Sequence, residues 1–63
     1  SSGVIVWDQE QNLFFANEAA KKVQSNLGYD LVKGCSRYDM FKNTVDKGAF
    51  SLAFNKLLMF FYL

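Results

Sequence analysis

The stretch GVIVWDQEQNLFFANEAAKKV, residues 3–23, decides how this chain is read. Val4 to Trp7 are four consecutive apolar residues, three of them β-branched, which predicts a strand buried on both faces. Asp8 ends that run, and Gln9, Glu10, Gln11 and Asn12 form a polar turn in which Asn12 is the residue suited to a left-handed backbone. Leu13 to Ala16 resumes the apolar pattern, so the two runs predict a hairpin. Asn17 is placed to cap a helix, and Glu18 puts a negative charge in its first turn, where the helix dipole favours it. Ala16, Ala20, Val23 and Leu27 share one helical face, Lys21, Lys22 and Gln24 lie elsewhere, and Gly28 provides the stop.

Downstream, Gly28 to Gly34 predicts an irregular connection. Ser36 with Asp39 three residues on forms a capping box and predicts a second helix from Arg37 to Lys47. Its inner face is Tyr38, Phe41 and Val45, and Gly48 closes it. The segment Phe50 to Leu63 admits several readings. Phe50, Phe54, Leu57, Leu58 and Phe61 have helical spacing, yet Leu52, Met59, Phe60 and Leu63 make the other side apolar too. A helix apolar all round is buried, either in a self-associated interface or as one core-facing helix of a larger fold, and a strand over Leu57 to Leu63 is the third reading.

These elements in this order resemble a known family. A strand ending in Asp8, a short polar turn, a strand ending in Ala16-Asn17 and a helix opened by Glu18-Ala19-Ala20 resemble the N-terminal half of a PAS domain. Leu27-Gly28-Tyr29, Leu31 to Gly34 and Tyr38-Asp39-Met40-Phe41 are similar to the family's middle segment. Lys47-Gly48-Ala49-Phe50 is similar to a Gly-aromatic step of one bacterial subgroup. The resemblance runs from Gly3 to Phe50. A full PAS domain of roughly a hundred residues continues into three further antiparallel strands with no counterpart in this sequence. The expected class is therefore α+β: an antiparallel hairpin followed by short helices, with the sheet incomplete. Residues 1–63 form a single partial domain, with residues 3–50 family-like and residues 51–63 an apolar tail.

Composition narrows the function classes. With 51% hydrophobic and 17% aromatic residues the chain is built to fold or associate rather than to stay disordered. Sixty-three residues make a marginal core without a disulfide, a metal or a partner, so a homodimer is expected. A formal net charge of +1 gives no basic surface for nucleic acid. No apolar run reaches the ~18 residues that a membrane span needs. One cysteine, Cys35, forms no internal disulfide and fits a reducing cytoplasm.

The sequence points to no catalytic or metal site. It contains no His, so it has no imidazole base and no proximal haem ligand. Gly3, Gly28, Gly34 and Gly48 are too scattered for a phosphate loop. The six carboxylates are each accounted for by turns, helix starts or solvated faces. Cys35 sits in Gly34-Cys35-Ser36-Arg37-Tyr38, which lacks the Asn before and the Arg-Phe after that mark the flavin-reactive thiol of light-sensing PAS relatives. Cys35 therefore reads as a small buried hydrophobe and Trp7 as core filler.

The resemblance implies a sensory or protein-interaction module of a signal-transduction protein. A small ligand or partner shifts helix–sheet packing, and the change passes to an output domain such as a histidine kinase or a cyclic-nucleotide enzyme. No catalytic residue is assigned to this chain, and the cofactor is unknown. Inward-facing positions nominate Val6, Phe15, Val23, Met40, Phe41 and Val45 as the lining of a ligand cavity. The alternative is a structural homodimerisation unit with no ligand.

Overall fold

A computed structural model describes residues 2–62. Its elements are β1 (Gly3–Trp7), β2 (Leu13–Ala16), α1 (Glu18–Asn26), α2 (Arg37–Asp46), α3 (Phe50–Lys56) and β3 (Leu57–Phe61), an α+β arrangement. The sheet order is β2-β1-β3; β2 runs antiparallel to β1, and β3 runs parallel to it.

The hairpin forms as the residue pattern predicts. Its turn is built by Asp8, whose Oδ1 accepts from the N–H groups of Glu10 and Asn12, both at 2.9 Å. Gln11 N–H donates to the Asp8 carbonyl and Asp8 N–H to the Asn12 carbonyl. This bonding places the left-handed residue at Gln11 (φ 68°) rather than at Asn12. Asn12 instead bridges to Ser36. A register slip opposite Val6 and Trp7 leaves Phe14 as an extra residue, so Phe14 and Phe15 are both exposed between buried Leu13 and Ala16.

Asn17 joins the hairpin to α1. Its Oδ1 accepts from Ala20 N–H at 2.9 Å, the expected cap, and also from Val4 N–H at 2.9 Å. Its Nδ2 donates to the Ser2 carbonyl at 3.2 Å, and its own N–H donates to the Val4 carbonyl. One side chain thus starts the helix and locks the start of β1 against it. Gly3 lets the two elements close up, because a Cβ there would lie 2.8 Å from Ala20 Cα and 2.6 Å from Leu57 Cδ2.

The core lies between the sheet and the helices and contains Ile5, Trp7, Leu13, Ala20, Leu31, Met40 and Leu57. Trp7 is fully buried, in keeping with its role as core filler. β1 itself is covered on one face only. Gly3, Ile5 and Trp7 are buried under the helices, whereas Val4 and Val6 are half-buried on the outer face. The expectation of a strand buried on both faces is corrected: all the helices pack on one side, so a continuous apolar run here does not mean two covered faces.

Two helix faces also differ from the pattern. On α1 the fully buried residues are Ala20 and Gln24, with Val23 and Leu27 half-buried. The Gln24 amide has no hydrogen-bond partner among the described residues. On α2 the inward residues are Met40 and Thr44, whereas Tyr38, Phe41 and Val45 are 71%, 43% and 48% exposed. The cause is tethering. Ser36 caps α2 while bridged to Asn12, Arg37 N–H donates to the Gln11 carbonyl, and Asn43 Nδ2 donates to the Leu27 carbonyl at 3.0 Å. Fixed at these points, the helix is rotated by about 100°, one residue step, from the face that apolar spacing selects. Thr44 is satisfied there by donating to the Met40 carbonyl at 3.0 Å.

The C-terminal apolar segment divides between two elements. Phe50 to Lys56 is helical, with only Ala53 buried, and Leu57 turns directly into an extended strand. The expectation of a buried all-apolar helix is therefore corrected, and the strand reading holds over Leu57–Phe61. Leu63, which both readings included, lies outside the described residues.

Candidate functional site: an apolar groove

The helix-side face of β3 is only partly covered, and this leaves a groove of about 550 Å³ between α2, α3 and β3. Met40 and Thr44 form its floor on α2, Ala53 on α3, and Leu57 and Met59 its sheet side. Phe41 and Phe50 meet edge to face at 5.5 Å between ring centroids, and Phe50 stacks on Phe54 at 6.2 Å. The helix α3 is short and has no side-chain cap, so tertiary packing rather than local bonding holds it in place.

Among the described residues Arg37 is the one charged residue of the lining. Its Nε donates to Gln11 Oε1 at 2.6 Å, and its guanidinium lies 5.5 Å from the Phe61 ring centroid. The groove therefore presents an apolar body with a single cation at one end. Its volume falls in the range of small-molecule sites, about 300–1,000 Å³.

The six residues nominated from the sequence fall in different places. Met40 and Phe41 line this groove. Val23 lines a separate, more polar hollow of about 440 Å³ between α1 and α3, together with Lys22, Asn26 and Lys56. Val6 and Phe15 pair with each other on the outer face of the sheet, and Val45 is exposed on α2. Sequence spacing missed Ala53, Leu57 and Met59. The usable signal was Lys56, the last polar residue before seven consecutive apolar ones, which marks the switch from helix to strand.

Other reactive groups stand apart from the groove. Cys35 is a free, half-buried thiol rather than a fully buried one. Beside it the Tyr29 hydroxyl is pushed up to about 12, chiefly by burial, with the adjacent Cys35 thiol and the Asp39 charge adding to the effect. Among the described residues no cluster of three or more His, Cys, Asp or Glu side chains is placed to hold a metal ion. No helix among them is long and apolar enough to cross a membrane. Comparison with protein-family models, with curated proteins and with solved structures gives no match.

Proposed function

We propose that this chain is a PAS-like regulatory module of a cytoplasmic signal-transduction protein, and that its groove binds a small apolar ligand. The supporting observation is the groove itself, walled by two helices and one strand, with the Arg37 cation at one end. Such a ligand prefers the arrangement that α3 and β3 adopt around it. It shifts the module between states only by that difference in affinity. In this reading an output domain of the parent protein, such as a histidine kinase or a cyclic-nucleotide enzyme, reads the shift, and this chain performs no catalysis.

The two methionines of the chain, Met40 and Met59, both line the groove, so methyl-labelled methionine reports on it directly. A fragment library of flat aromatic carboxylates is expected to move both methyl signals, and Phe41→Ala is expected to weaken that response. Fragments that leave both methyl signals in place while shifting Val4 and Val6 would refute a ligand site in the groove.

A second reading, a homodimerisation unit, is favoured by the outer face of the sheet. Phe14, Phe15, Phe60 and Tyr62 are all exposed there around Val4 and Val6, and Phe14 stacks on Tyr62 at 5.2 Å. Exposed apolar area of this kind marks interaction surfaces. A solution mass that stays monomeric over a dilution series would remove this reading.

A further inference from the structure

The two edges of the sheet are treated differently. Along β2 the segment 34–37 seals the outer edge. Leu13 N–H donates to the Cys35 carbonyl at 2.7 Å, Gly34 N–H to the Leu13 carbonyl at 3.1 Å, and Arg37 N–H to the Gln11 carbonyl at 2.8 Å. The β2 bulge further disrupts pairing there. Among the described residues the β3 edge has none of these devices. Leu57–Phe61 reads LLMFF, with no charge, no proline and no bulge. Natural edge strands carry such features to prevent pairing.

The orientation of the free groups follows from the ladder. Tyr62 N–H donates to the Trp7 carbonyl at 2.7 Å. Backbone groups alternate sides along a strand, so those of Leu58 and Phe60 also point at β1. Those of Met59 and Phe61 point away from it. Among the described residues neither Met59 nor Phe61 has a backbone partner outside the ladder.

We propose that this edge pairs with β3 of a second copy of the chain, antiparallel about a twofold axis at Phe60. The proposal rests on the self-association reading and supplies its geometry. In this register each Met59 lies opposite the second copy's Phe61, and each such pair exchanges two backbone hydrogen bonds. The Phe60 residues of the two copies form a closely spaced pair on the outer face, and each Leu58 faces the second copy's Tyr62. An uncharged strand pairing antiparallel with itself closes under a twofold and presents no further edge of its own. Lys56, at the start of the strand, falls beyond the paired region, so no like charges meet.

The area sets the strength. Leu58, Met59, Phe60, Phe61 and Tyr62 are 51%, 39%, 52%, 48% and 61% exposed. With aromatic side chains carrying ~150–250 Å² each, this strand offers roughly 450 Å² per chain, against ~800 Å² per partner in a standard interface. The dimer is accordingly weak and reversible.

The chain is short enough for total synthesis, and N-methylation of Phe61 removes an edge-facing donor without touching the bonds to β1. Sedimentation equilibrium over a dilution series is expected to show a reversible dimer that the N-methyl group weakens about tenfold or more. Trp7 emission and circular dichroism report whether the fold is retained. In a Cys35→Ser background, Phe60→Cys is expected to form an interchain disulfide on mild oxidation. Met59→Cys is not, because its counterpart lies a diagonal step away, ~7–8 Å. A dimer indifferent to N-methylation would overturn the edge geometry while leaving self-association standing. A folded monomer throughout would overturn both, leaving the edge to a strand from another polypeptide or from elsewhere in a longer chain.

Discussion

Replacing Asn17 tests the junction on which the fold depends. In Asn17→Ala the helix loses its cap, a change that costs about 1 kcal/mol. The Val4 N–H, half-buried at the start of β1, loses its only side-chain acceptor, and an unsatisfied donor of that kind costs about 1–3 kcal/mol. The sum is about 3 kcal/mol, a large part of the ~3–9 kcal/mol total stability expected for a chain of this length. Trp7 is the single tryptophan and is fully buried, so its fluorescence follows urea unfolding directly. With a slope of about 1 kcal/mol per molar urea, the midpoint falls by about 3 M, far enough that about half of the variant is unfolded without denaturant if the parent lies at the low end. Two companion variants separate the parts. Asn17→Ser keeps the Ala20 bond but is too short to reach Val4 as well, and is expected to cost about 1–2 kcal/mol. Asn17→Asp keeps both acceptor bonds and loses only the exposed donation to Ser2, and is expected to stay within about 0.5 kcal/mol of the parent. If Asn17→Ala costs no more than a cap and Asn17→Ser costs nothing, the bond to Val4 contributes nothing, and the clamp between β1 and α1 has to be sought elsewhere.

Three other outcomes are expected. Gly3→Ala drives a methyl group into the Ala20 backbone and the Leu57 side chain and is expected to cost about 1–3 kcal/mol in urea unfolding, whereas relief by Leu57→Val would confirm the cause. Gln24→Met removes a buried amide that has no partner at similar volume and is expected to stabilise by about 1 kcal/mol, read as a higher urea midpoint at unchanged slope. Tyr29 has a folded value of about 12 against an ordinary 10.0. The folded state therefore holds the phenol proton more tightly than the unfolded state between those values. Its contribution is fully present below pH 10 and is lost as pH rises toward 12. Ultraviolet titration should show a phenolate phase near pH 12 that Tyr29→Phe abolishes, and the same variant should flatten the loss of stability over that window.

The hairpin and both capped helices were legible because each depends on neighbouring residues. Asp8 organises its own turn, and Asn17 and Ser36 cap the helices that follow them. The candidate groove was legible only in part. Met40 and Phe41 were nominated, but Val6 and Phe15 belong to the other face of the sheet and Val23 to another hollow. Apolar spacing identifies residues that avoid water and does not identify the element that covers them.

Apolar periodicity, turn bonding and capping set the local elements, because each acts within a few residues and needs no distant partner. Tertiary structure alone decided how those elements are turned toward one another. The rotation of α2 follows from its ties to Gln11, Asn12 and Leu27, which put Met40 and Thr44 inward in place of Tyr38, Phe41 and Val45. The split of the C-terminal segment into helix and strand follows from β1, whose free edge and Gly3 accept Leu57 and the parallel ladder behind it. Both outcomes are set by contacts far apart in the chain, which residue spacing within one segment does not record.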